Sequence, residues 1–170
     1  MDTALLHENL KTPLDNFYHW ERTKPKAPFL RQPTGDTWRE YSWSEVGGIS
    51  RKMLTALRNM GLQKGDHIGI LSKNCCQWIM ADLALMMGGF VSVPFYASTP
   101  KDQLAELIEK SDIKALFIGK LDDWGDRVEA IPKSLKVIRF PHYPGNAVVN
   151  IGEDWDDLLA KNEAATDIYR

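Results

Sequence analysis

Few side chains in this sequence have both the type and the spacing that chemistry requires. A phosphate-binding loop needs a glycine, four residues and then Gly-Lys-Ser/Thr, so that backbone amides and a lysine cradle the phosphates. Gly119-Lys120 follows a strand-like run, but Lys114 stands where the first glycine belongs and Leu121 where the hydroxyl belongs. Neither the Gly-x-Gly-x-x-Gly of dinucleotide sites nor the Gly-x-Ser-x-Gly of a nucleophile elbow occurs. His7, His19, His67 and His142 are far apart, and none has a partner at ligand spacing. They read as surface or loop histidines rather than ligands or bases. Cys75 and Cys76 are adjacent. Two side-by-side thiols do not make a zinc site, and a bridge between neighbours is strained and closes no loop. Free, buried thiols are expected. The acidic run at 153–157 lacks the spacing of a calcium loop and reads as a solvated face. Trp38, Trp43, Trp78, Trp124 and Trp155 fall mostly on inward stripes or strands, so they read as core aromatics rather than stacking platforms.

Composition narrows the class without naming a reaction. The chain has 170 residues, with 44% hydrophobic and 26% charged, as in an ordinary soluble globular domain. Twenty-one basic against 23 acidic residues leave a formal net charge of −2 and no general basic face for nucleic acid. No apolar run approaches the ~20 residues of a membrane span. The start, Met1 to Glu8, lacks the basic flank and apolar core of a signal peptide. Free thiols suit a reducing compartment, and the cytoplasm is the expected location.

The elements that must position any site centre on Gly65 to Tyr96. Ile68, Ile70 and Leu71 suggest a buried strand after the turn Lys64-Gly65-Asp66. Asn74 with Gln77 reads as a capped helix start. From Trp78 to Met87 the helix is apolar almost all round, so it should be sandwiched. Gly88 or Gly89 ends it. Val91, Val93 and Phe95 form the next strand, with Pro94 marking its end. Two strands joined by a helix lie parallel with a right-handed crossover, and the useful end is their carboxyl edge.

The flanks follow the same logic. Thr12 caps a helix opened by Pro13 and ended by Lys24-Pro25-Lys26. Residues 27–31 and 37–41 form a hairpin around Pro33-Thr34-Gly35-Asp36. Ser42 with Glu45 forms a capping box, and Val46, Ile49, Met53, Leu57 and Met60 make a stripe ending at Gly61. Arg51, Lys52 and Arg58 fall off that stripe, on a solvated face. Thr99 caps and Pro100 opens a helix with Leu104, Leu107 and Ile108 inward and a Glu106–Lys110 pair outside. Residues 115–118 and 137–140 read as strands. Leu121, Trp124, Val128 and Ile131 have helical spacing between them. His142 to Asn146 is a loop, and Trp155, Leu158 and Leu159 mark a short amphipathic piece. The expected fold is α/β: a mainly parallel sheet flanked by helices, with a small amino-terminal β-hairpin. Residues 1–41 form the leading helix and hairpin, and 42–170 the α/β unit. No closing helix follows Ala164, so the chain reads as the front of something longer.

The order of these pieces resembles the amino-terminal part of the adenylate-forming acyl-CoA synthetase superfamily. The resemblance rests on Trp38, residues 41–45, the helix end at 57–61, Gly65 to Ile70, Asn74 and Trp78. It continues through residues 81–84, 88–94 and 111–116. Residues 94–100 and 81–83 look most like the long-chain fatty acid branch.

The resemblance implies a ligase that activates a fatty acid with ATP and Mg²⁺ to an acyl-adenylate and passes the acyl group to coenzyme A. The phosphate loop and the catalytic lysine of that family would lie downstream of the matched region, so the 170-residue chain alone is expected to be inactive. In acetyl-CoA synthetase-like relatives, the loop after the strand matching residues 115–118 carries basic residues near the coenzyme A phosphates. Here Lys120 and Arg127 occupy that loop, without the relatives' Arg-Gly-Gly pattern. A lysine and an arginine at a strand's carboxyl end can meet phosphate. Two other readings stay open: a stand-alone α/β module for a nucleotide or acyl partner, and part of an acyl-acyl carrier protein ligase. A peripheral contact with a membrane surface is compatible with all of them.

Overall fold

A computed structural model describes residues 10–168. His7 and the Met1–Glu8 start lie outside them. The first helix, α1 (Pro13–Thr23), opens on the expected proline, and Thr12 and Asp15 close a reciprocal capping box. Strands β1 (Pro28–Thr34) and β2 (Thr37–Ser42) pair antiparallel through a turn at Gly35, whose φ of 59° suits a residue without a side chain. The Ser42–Glu45 capping box starts α2 (Trp43–Asn59). Then β3 (His67–Leu71), α3 (Cys76–Gly88) and β4 (Val91–Phe95) form the expected strand–helix–strand unit. Gly89 ends α3 in the left-handed conformation, φ 67°. Next come α4 (Lys101–Ser111), β5 (Ala115–Ile118), a 3-10 segment Gly125–Ala130, β6 (Lys136–Arg139), the short β7 (Glu153–Asp154) and α5 (Trp155–Lys161).

Among the described residues, β3 to β7 make one parallel sheet in the order β4-β3-β5-β6-β7. After β4 the chain crosses back over β3 and continues on its other side. Winding therefore reverses between β3 and β5, the place where open α/β sheets bind ligands.

The pleat sorts the core into two layers, because successive side chains of a strand face opposite ways. Ile68, Ile70, Ala115, Phe117 and Ile138 face α1, α2, α3 and α5. Leu71, Leu116, Ile118 and Val137 face α4 and the 3-10 segment. Gly69 is on the second face, and a Cβ there would lie 2.7 Å from both Leu116 Cδ1 and Phe95 Cε2. Its bare backbone lets those side chains close over the centre of the sheet. On the other face, Gly47 leaves room for Glu21, which pairs bidentately with Arg51 at 2.6 Å per bond and ties α1 to α2.

Several expectations are corrected. Asn74 does not cap α3: the N-cap is Cys75, and no side chain bonds the helix from that position. Gln77 does not reach back either, since its Oε1 accepts the Tyr143 hydroxyl. Thr99 does not cap α4. Pro100 is itself the N-cap, with extended backbone at ψ 157°, and Lys101 is the first helical residue. Leu104 and Ile108 are buried, but Leu107 is 41% exposed. Residues 121–131 do not form an α-helix. Leu121, Trp124 and Ile131 are buried as their spacing predicts, but Gly125 at φ 31° starts one short 3-10 segment that Pro132 follows.

Pro94 sits inside β4 rather than at its end. The amide of Val91 donates to Asp66 O of the chain entering β3. Alternation along the strand then turns the Pro94 nitrogen toward the free edge, where no donor is needed. Trp38 is 67% exposed on the hairpin and is not a core residue.

Candidate functional site

A cleft of about 840 Å³ opens at the carboxyl ends of β3, β4 and β5, over the point where winding reverses. Its floor is stitched by the backbone: the Gly119 amide donates to Leu71 O at 3.1 Å, and the Lys73 amide to Lys120 O at 2.9 Å. Parallel strands deliver these loops to one rim because all run the same way. The β3 loop brings Ser72, Lys73 and Asn74. The β4 loop brings Tyr96, Ala97 and Ser98, and the β5 loop brings Lys120, Asp122, Asp123 and Arg127.

Both residues singled out from the sequence, Lys120 and Arg127, line this cleft. Arg127 Nη1 donates to Ala97 O at 2.6 Å and to Asp123 O at 3.2 Å, so the guanidinium joins the β4 and β5 loops. Both bonds use Nη1, and Nη2 and Nε remain as donors. The Lys120 ammonium lies 5.3 Å from the centroid of Tyr143, whose ring face attracts a cation. Lys73, not anticipated from sequence, bridges the rim to Asp122, and Asn146 Nδ2 donates to the same carboxylate oxygen at 3.2 Å. Lys73 and Asp122 are both solvent-exposed, so this bridge orients more than it stabilises. Tyr96, 86% exposed at the cleft wall, was also missed: nothing marks a residue two past a proline as the lip of a cleft. The signal for Lys73 and Tyr96 is positional, since each lies just beyond the carboxyl end of a strand.

Behind Lys120 lies a closed polar knot. Tyr143 is buried, and burial pushes its phenol well above the ordinary range. Cys75 and Cys76 are free and buried. Burial raises both thiols, and the neighbouring Cys75 adds to the rise at Cys76, to about 11. Nothing in this knot generates a thiolate nucleophile near neutrality.

The remaining candidates come apart. His67 Nδ1 is 2.8 Å from Ser111 O, and His142 Nε2 is 3.0 Å from Asn146 O, so each ring is held by a backbone carbonyl. Asp154 caps α5 by accepting from the amides of Asp156 and Asp157. Among the described residues, no group of three or more His, Cys, Asp or Glu side chains could hold a metal ion. No helix among them is long and apolar enough to cross a membrane.

A doubly wound parallel sheet with a cation-bearing cleft at its reversal point defines a class of α/β domains that take ligands at the strand carboxyl ends. The family is narrower. Residues 17–167 match the family described as AMP-binding enzyme, and the chain belongs to it. It is similar to a long-chain-fatty-acid–CoA ligase of Rattus norvegicus, 26% identical over 164 residues that cover 84% of this chain and 24% of that protein. A putative acyl-CoA synthetase of Bacillus subtilis is 28% identical over 141 residues, covering 71% of this chain and 25% of that protein. In fold it resembles the acetoacetyl-CoA synthetase of Streptomyces lividans, with a TM-score of 0.77 at 20% identity, over 92% of this chain and 26% of that one. The chain thus spans about a quarter of the length of each of these relatives.

Proposed function

We propose that this chain is the amino-terminal part of an ATP-dependent fatty acid–CoA ligase. Residues 1–41 would lead into the large nucleotide-binding domain that begins at residue 42. In the whole enzyme, a carboxylate oxygen of the acid attacks the α-phosphorus of ATP and displaces pyrophosphate. The coenzyme A thiol then attacks the acyl carbon of the adenylate, forming the thioester and releasing AMP. The observation that carries this reading is the family match over residues 17–167, joined to a cleft at the sheet's reversal point that is lined by Lys73, Lys120 and Arg127. Long-chain specificity is supported by the relative in Rattus norvegicus and by the residues at 81–83 and 94–100.

The chain's own residues would bind and orient rather than catalyse. Lys120 and the two remaining donors of Arg127 supply positive charge for the coenzyme A phosphates, as a point charge and a planar fork respectively. Arg127 also locks the two loops that shape the mouth. Mg²⁺ in the whole enzyme would neutralise charge on the ATP phosphates. These residues include no Gly/Ser/Thr-rich loop with a lysine of the kind the family uses to hold the phosphates, so the 170-residue chain is proposed to be inactive alone.

The test joins this chain to the rest of its reading frame and follows acyl-CoA formation from palmitate, acetate and benzoate. Turnover should favour palmitate, and Lys120→Ala or Arg127→Ala should raise the KM for coenzyme A with little change in ATP–pyrophosphate exchange. Preference for benzoate would remove the long-chain assignment. Exchange activity in the isolated 170 residues would refute its inactivity.

A further inference from the structure

A second surface lies apart from the cleft loops. At the end of α1, Trp20 is exposed, with Lys24 Nζ 4.6 Å from its ring centroid. Behind it the rings continue inward: Trp43 is 6.4 Å from Trp20 and stacks on Phe29 at 3.8 Å. Lys24 and Lys26 are exposed on the loop that follows, and Arg22 and His19 stand on the flank. Between His19 and Phe29 the chain carries three cations, Arg22, Lys24 and Lys26, and one acid, Glu21. That acid is already taken by Arg51 of α2. The nearby Glu45 is engaged by Ser42 in the capping box, so it opposes the patch but cannot fold over the lysines without opening the helix. Asp15 is held by Thr12 at the other end of α1.

The partner follows from this combination. Lysines with no free carboxylate beside them among the described residues attract an anionic surface, and an exposed indole with a supported apolar back suits the boundary between headgroups and acyl chains. A folded protein partner would offer carboxylates one at a time, whereas an anionic bilayer meets Trp20, Lys24 and Lys26 together. Topology sets the direction. The chain leaves α2 at Asn59 to enter β3 at His67, so the amino end of α2, with Trp43, is at the carboxyl edge of the sheet. The patch and the cleft therefore open toward the same edge.

We propose that Trp20, Lys24 and Lys26 form an interfacial docking patch for an anionic phospholipid bilayer. The patch stands independently of the ligase reading. The experiment is flotation of the full chain with vesicles of phosphatidylcholine alone or mixed with phosphatidylserine. Binding is expected on the mixed vesicles only, and high salt should weaken it. Each cation near such a surface contributes roughly fivefold to partitioning, so Lys24→Glu with Lys26→Glu should weaken it by roughly thirtyfold or more. The paired reversal Lys133→Glu with Lys136→Glu, which changes net charge equally, should leave it within about twofold. Trp20→Phe should keep the fold and most of the binding but reduce quenching of tryptophan emission by a spin-labelled lipid. No flotation, equal loss from both charge reversals, or unchanged quenching in Trp20→Phe overturns the proposal. Retention on duplex DNA without flotation would assign the patch to nucleic acid and overturn it as well.

Discussion

The side-chain carbonyl of Gln32 accepts the amide hydrogen of Cys76 at 2.9 Å, so a residue of the β1–β2 hairpin satisfies the first turn of α3. Both groups are buried. A helix start whose amides are shielded from water needs such an acceptor, and here it comes from 44 residues upstream. The bond makes the hairpin a structural support of the central unit rather than an appendage.

Gln32→Ala should therefore lower stability by about 1–2 kcal/mol, the cost of a lost cap with a buried donor. Asn74→Ala, the cap position suggested by sequence, should stay within about 0.5 kcal/mol because that side chain is exposed. Urea denaturation of both variants checks the pair. The reverse order of losses would return the cap to Asn74.

On α4, Leu104 and Leu107 have the same chemistry and different surroundings. Leu104 is fully buried and Leu107 is 41% exposed. Leu104→Ala should cost about 2–5 kcal/mol, whereas Leu107→Ala should cost less than about 0.5 kcal/mol. Thermal unfolding distinguishes them directly.

Gly69→Ala should destabilise by about 1–3 kcal/mol, since the new methyl meets Leu116 and Phe95 in a packed layer. Phe95→Leu in the same chain should recover part of that loss. A double-mutant cycle with no coupling between the two positions would show that Phe95 is not what excludes the side chain.

The two thiols should resist alkylation at neutral pH in the folded chain and react at once in denaturant, because burial holds them protonated. Linkage gives the sign: the unfolded thiols ionise near pH 9, while Cys76 keeps its proton to about 11. The folded state binds more protons across that window, so this contribution is full below pH 9 and is lost as pH rises toward 11. Cys76→Ala should flatten the decline in a pH series of unfolding midpoints. A steeper decline in that variant would reverse the assignment.

Much of the architecture was legible because its signals are local. Caps at Thr12 and Ser42, the left-handed stop at Gly89 and the short apolar runs of residues 68–71 and 115–118 each act over a few residues. The strand–helix–strand unit and its parallel sense follow from such signals and from chain handedness. Lys120 and Arg127 were candidates through family likeness alone, and parallel strands bring both to one rim.

What tertiary structure decided is whatever depends on partners distant in the chain. Strand order, and with it the reversal between β3 and β5, is set by which face each crossover covers, and no window of residues encodes that. The cap of α3 comes from Gln32, and the Gln77 that resembled a local cap serves Tyr143 instead. Leu107 has the spacing of a core residue, but no second layer covers that side of α4. Residues 121–131 bury the expected face without α-helical hydrogen bonds, because burial rewards apolar position whatever the backbone between. Local rules thus wrote the elements of this protein, and long-range packing chose where they meet.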